Sequence, residues 1–347
     1  MPEEAKLSFY KINRCGYYQH GTRNRAFGSI SSMLSQLSSW ATRPNFPLEL
    51  TCTFTPGESE QDKLRVFCFD IESDSRTGDY FLTTWNETPS TQGKVPSVSG
   101  DQPVGSAQVH LNKIRRGTIP GYATYFWFLP DLQVFATIRF HHIFNGQQNL
   151  VKYLNGFLGM FSDHVVKYQI DDDNVEIEGY RESESAEEVL DLLPSFRAKL
   201  VRKGGEIALI REKRANIRKL IRKSILDSRV EEEKKLLQQM MQKIGINDFN
   251  HNSRELNVNY SLPYKPTDEE LNAIIDNASE EGLSWTNDVG FQFVGGQEVV
   301  WLSNSIVKQE IELHIEREND EVVNLASLAA QLTGKRRLIT RVLANNR

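Results

Sequence analysis

Residues 121–140 read GYATYFWFLPDLQVFATIRF, and this stretch decides the fold class. Two runs dense in aromatic and β-branched residues, Tyr122–Leu129 and Leu132–Phe140, flank Pro130-Asp131. Proline presets φ for a turn and aspartate bonds nearby backbone, so the pattern predicts a β-hairpin. The same turn cuts the most apolar part of the chain, Tyr122 to Ile138, in half. A membrane-crossing helix needs about 20 unbroken apolar residues, so no span is expected.

Working outward, Asn149 to Phe161 carries Leu150, Leu154, Phe157, Leu158 and Phe161 on one side, which is helical spacing. Val165–Ile170 and Val175–Tyr180 are strand runs around the acidic turn Asp171-Asp172-Asp173-Asn174. Upstream, 6–12 (KLSFYKI) is a short strand, and Ser29 to Trp40 repeats Ile30, Met33, Leu34 and Leu37 as a helix that Pro44 and Pro47 stop. Leu48 to Thr55 alternates as a half-buried strand. Leu64–Ile71 and Tyr80–Trp85 are strands joined across ESDSRTG, and 86–106 reads as a long polar loop. Residues 1–184 are therefore expected to form one α+β domain on a mostly antiparallel sheet.

Composition changes after 184. Ser185 with Glu188 reads as a capping box that opens a short helix, closed by Pro194. Glu206 to Ile244 has almost no breaker, and Ile207, Ile210, Ile217, Ile221 and Ile225 recur at helical spacing. A long amphipathic helix, single or in two abutting pieces, is expected there, making 185–246 a basic helical segment. Residues 247–347 are expected to form a small α+β domain. Thr267 with Glu270 is another capping box, Gly295-Gly296 marks a hairpin, 307–316 alternates as a strand, and Val322 to Leu343 is helical.

The 347 residues carry 41 Lys and Arg against 46 Asp and Glu, a net charge of −5. That balance excludes a uniformly basic coat for nucleic acid, yet the charge is not evenly spread. Arg197, Lys199, Arg202, Lys203, Arg211, Lys213, Arg214, Arg218, Lys219, Arg222 and Lys223 face only Glu206 and Glu212 within 197–223, a net +9. Lys335, Arg336, Arg337, Arg341 and Arg347 add +5 at the end of the chain, which leaves −19 on the rest. Basic stretches of this density suit a phosphate backbone, whose condensed counterions they release. The blander alternative is that these cations pair with the molecule's own excess acid. No aromatic residue interrupts the basic run from Lys199 onward, which favours backbone contact over base stacking.

Signals for other chemistry are weak. Cys15, Cys52 and Cys68 are odd in number and lack C-x-x-C spacing, so neither a disulfide framework nor a zinc site follows. Asp70 and Glu72 form a D-x-E pair at a strand end, a pattern that holds divalent metal in nucleases. His141-His142 are adjacent on a strand and face opposite ways, which prevents a shared metal. The 171–174 turn lacks a calcium loop's glycine and terminal glutamate. No phosphate-cradling, nucleophile-elbow or cofactor motif is present, so no cofactor and no catalytic residue is expected. The acidic, short-apolar start is unlike a secretory signal, and a reducing cytoplasm fits the cysteine usage.

The hairpin-plus-helix region 121–158 and the basic segment FRAKLVRKGGEIALIREKRANIRKLIRK (196–223) resemble the RexA family of phage-exclusion proteins. The defence protein KwaB and the recombination-associated protein RdgC look like more distant relatives. The resemblance implies a homodimer that binds duplex DNA without sequence preference, acts in phage exclusion with a partner protein of the same defence system, and is not an enzyme. Two other functions compete with it. One is a metal-dependent nuclease using Asp70 and Glu72; the other is a scaffold whose long helix pairs with a protein.

Overall fold

The computed structural model describes residues 2–54, 64–88, 97–99, 102–103, 109–110, 117–140, 146–169, 175–227, 255–280, 288–296 and 298–344. The early strands are β1 (Pro2–Tyr18), β2 (Arg25–Phe27), β3 (Val66–Asp74), β4 (Asp79–Glu87), β5 (Ser97–Ser99) and β6 (Val109–His110). Next come β7 (Thr118–Leu129), β8 (Val134–Arg139), β9 (Val165–Gln169), β10 (Val175–Tyr180) and β11 (Leu193–Leu200). The later strands are β12 (Ile217–Asp227), β13 (Glu255–Pro263), β14 (Asp288–Phe293), β15 (Val299–Trp301) and β16 (Lys308–His314). The helices are α1 (Ile30–Ala41), α2 (Gln147–Met160), α3 (Gly204–Glu212), α4 (Asp268–Glu280) and α5 (Leu325–Ala344). The chain is mixed α/β, built on antiparallel sheets, and folds as two compact units: 1–201 with 308–345, and 202–307 with the last two residues. Composition had suggested divisions at 184 and 246.

In the first unit the large sheet runs β11-β1-β8-β7-β4-β3, and β16 also pairs with β1. The expected hairpin is β7–β8, with Tyr125 opposite Ile138 and Leu129 opposite Val134. Its turn is a 3-10 stretch, Pro130–Leu132, closed by Gln133 in the left-handed region at φ 55°. Phe81 stacks on Trp127 at 6.1 Å, and Tyr10 stacks on Phe135 at 4.9 Å. Strand alternation sends these two pairs to opposite faces. On one face Arg336 of α5 bonds Asp79 of β4; on the other Asn149 of α2 bonds Asn86 of β4. Both faces are therefore covered, and Trp85, Trp127, Phe67, Phe126 and Phe135 are fully buried. The expected helix at Ser29 is α1, whose first turn is capped by Ser29 Oγ accepting from Ser32 N at 3.0 Å.

The second unit carries the sheet β13-β12-β14-β15 together with α3 and α4. The expected Thr267/Glu270 box is formed reciprocally at the start of α4. Glu270 N donates to Thr267 Oγ1 at 3.2 Å, and Thr267 N donates to Glu270 Oε2 at 2.8 Å. The Gly295-Gly296 hairpin joins β14 to β15.

Three expected elements differ. Leu48–Thr51 is a 3-10 turn and not the start of a strand. Thr51 Oγ1 donates to Leu48 O and accepts from Cys68 N, so a side chain takes the place of a ladder. Ser185 opens no helix. The chain is irregular until β11, an edge strand, where Pro194 is tolerated. The long helix expected over 206–244 ends at Glu212; Arg214–Asn216 is a 3-10 turn and Ile217–Asp227 is strand β12. β12 is central, paired on one side with β13 and on the other with β14. Its bulge between Ile217 and Lys219 breaks the period-two signal that alternation would have given. Residues 228–244, His141-His142 and Asp171–Asn174 lie outside the described residues.

Candidate nucleic-acid interface

The basic residues are divided between the two units. Arg197, Lys199, Lys335, Arg336, Arg337 and Arg341 belong to the first; Arg202, Lys203, Arg211, Lys213, Arg214, Arg218, Lys219, Arg222 and Lys223 belong to the second.

Several cations serve the fold. Arg336 makes two bonds to the fully buried Asp79, at 2.8 and 3.1 Å, and a third to Asp131 at 2.7 Å. Trp127 Nε1 donates to the same Asp79 carboxylate at 3.0 Å. These carboxylates hold the guanidinium charged, so its pKa rises above the ordinary value. Arg202 is bonded to Ser305 Oγ and to Ile275 O, both at 3.0 Å, and burial lowers its pKa to about 10. Arg214 pairs with Asp268 at 2.7 Å and bonds Pro266 O, and Arg211 bonds Asn272. Lys203 reaches Asn304 O and Glu206, and Lys335 reaches Glu312 O. For these residues the pairing with the molecule's own polar groups accounts for the charge.

The remaining second-unit cations of the basic run 202–223 gather where the chain turns from α3 into β12. Lys213, Arg218 and Lys219 form no side-chain ion pair among the described residues, and Lys213 and Arg218 are exposed. Register sets the faces. Lys219, Ile221 and Lys223 share one face of β12; Leu220 and Arg222 share the other with the buried Val289 and Phe291. On the first face Ile221 lies opposite Gly290, and Gly290 lies opposite Trp301. Lys223 Nζ stands 3.9 Å from the centroid of the Trp301 ring. The negative face of the indole attracts the ammonium and fixes a side chain that would otherwise sample many rotamers. Asp288, opposite Lys223, is buried; burial raises its pKa, and Lys223 is among the groups that oppose the rise.

No family model matches this chain. No curated protein and no solved structure matches it either. Trp301 is the neighbour of the basic run that the linear sequence hid. It stands 78 positions after Lys223, and only the β12-β14-β15 order brings the two together.

In the first unit, Arg197 and Lys199 are exposed on the edge strand β11, and Arg337 and Arg341 are exposed on α5. Asp70 and Glu72 share a face of β3. Burial first, and then the neighbouring Glu72, raise the Asp70 carboxyl to about 6. Among the described residues no three His, Cys, Asp or Glu side chains are grouped as a metal site. Among them, too, no helix is long and apolar enough to cross a membrane.

Proposed function

We propose that this chain is a non-catalytic protein that binds nucleic acid through the phosphate backbone, without sequence preference. One observation carries the reading. Lys213, Arg218 and Lys219, which form no side-chain ion pair among the described residues, lie close together in sequence, from the end of α3 into β12, and lead to Lys223 braced on Trp301. The contact surface is thus a turn and a sheet face, in place of the basic helix expected from periodicity. Lys223 already occupies the Trp301 ring, which supports backbone contact over base stacking. The resemblance to the RexA family extends the proposal to duplex DNA, a homodimer and a role in phage exclusion.

The test is fluorescence anisotropy with a labelled duplex across a salt series. Each phosphate neutralised contributes about −0.9 to the slope of log affinity against log salt. The double variant K219E/K223E is expected to weaken binding at every salt concentration and to flatten the slope by about 2. Unchanged affinity and slope in that variant would remove the β12 face from the interface. Plasmid incubated with magnesium or manganese is expected to stay intact; cleavage lost on Asp70→Ala would replace the proposal with the nuclease reading.

A further inference from the structure

In the first unit, β1 and β11 present like charges to one another. Their register places Lys11 opposite Lys199 and Arg14 opposite Arg197. The bulge between Ile12 and Arg14 makes this possible, because it turns Arg14 outward with Lys11 while Ile12 and Cys15 stay buried. Lys11, Arg197 and Lys199 are exposed, and Arg14 is half-exposed, its guanidinium 4.9 Å from the centre of the Tyr18 ring and bonded to Thr22 O. Alternate residues of a strand are about 6.6 Å apart and facing residues about 5 Å, so the four cations form a compact array. From Leu7 to Tyr18 on β1, and along all of β11 and β8, the sequence holds no Asp or Glu.

Protection of a sheet edge is the ordinary use of cations on a strand such as β11. It does not account for Lys11, which stands one strand in, between Lys199 of β11 and Val134 of β8, nor for Arg14 beyond it on β1. Like charges directly opposite are destabilising, whereas an acid at either position would stabilise the pair. An array that holds four cations at that cost, with no acid on β1 beyond Glu4 and none on β11, is complementary to a closely spaced row of anions.

We propose that Lys11, Arg14, Arg197 and Lys199 form a second phosphate-backbone site, separate in sequence and in unit from the β12 face. The inference rests on the nucleic-acid reading above and adds Lys11 and Arg14 to it. Reversing one partner of each like-charge pair gives the test, since K11E/R197E turns two repulsions into two attractions. The variant is expected to melt at a higher temperature than the parent chain. In the duplex salt series it is also expected to bind at least tenfold more weakly, with a flatter slope. Weaker binding together with raised stability excludes damage to the fold as the cause. Parental affinity and slope in K11E/R197E, alongside a loss in K219E/K223E, would overturn this site and leave the β12 face standing. A parent chain that binds neither duplex nor single-stranded DNA would overturn both.

Discussion

At the scale of single residues, burial decides what a charge does here. Asp79 is fully buried and is matched by Arg336, so the ion pair is part of the first unit's core. Asp70 is half-buried, forms no ion pair among the described residues and has Glu72 beside it, so desolvation and then Glu72 push its carboxyl up to about 6. An unfolded aspartate titrates near 4, so between those values the folded chain holds a proton that the unfolded chain has released. Stability from this group is therefore full below about pH 4 and is lost as pH rises through 6. Asp70→Asn keeps the shape and removes the ionisation. It should raise stability at pH 8 by about 2 kcal/mol and change nothing at pH 3.5. Urea unfolding of both chains at the two pH values checks this; equal stability at pH 8 would show that Asp70 is solvated.

At the scale of elements, what the sequence revealed depends on whether the deciding contacts are local. The β7–β8 hairpin, α1, α2 and the capping box of α4 were legible because turn residues, caps and one-sided apolar stripes lie within a few positions of each other. Strand β12 was not. Ile217, Leu220, Ile221 and Ile225 recur as they would on a helix, and the strand is fixed by β13 and β14, which are distant in sequence. Arg197 and Lys199 were visible as basic residues, but their partners Arg14 and Lys11 are more than 180 residues away. The bracing of Lys223 depends on one position in particular. A Cβ on Gly290 would lie 2.9 Å from the Trp301 ring and closer still to Val299. Gly290→Ala should therefore displace Trp301 from Lys223 and cost about 1–3 kcal/mol through overpacking. A lower urea midpoint together with weaker duplex binding is the expected pair of results. An unchanged midpoint would mean that β15 shifts freely and does not hold the indole in place.

At the scale of the whole molecule, the register of the first unit shows how the second was accommodated. Leu200 of β11 lies opposite Tyr10 of β1, and Lys308 of β16 lies opposite Ser8. Between them Val201 N donates to Phe9 O at 2.7 Å. Both strands are antiparallel to β1, so they run in the same direction along its edge, and Val201 and Lys308 occupy consecutive positions. Residues 202–307 interrupt what is otherwise one edge strand. A chain in which Val201 is joined directly to Lys308 should keep the register without a linker, because neighbouring Cα atoms need only 3.8 Å. It would retain β16 and α5, and with them the Arg336–Asp79 pair and the cover over Phe81 and Trp127. Such a chain is expected to unfold in one cooperative transition with near-ultraviolet dichroism from its buried tryptophans. A molten or insoluble product would show that 202–307 supplies stability that the edge-strand register does not account for. The joined chain also separates the two cationic surfaces, since it keeps Lys11, Arg14, Arg197 and Lys199 and lacks Lys219 and Lys223. Residual, salt-sensitive duplex binding by it is the outcome expected if the β1–β11 array acts on its own.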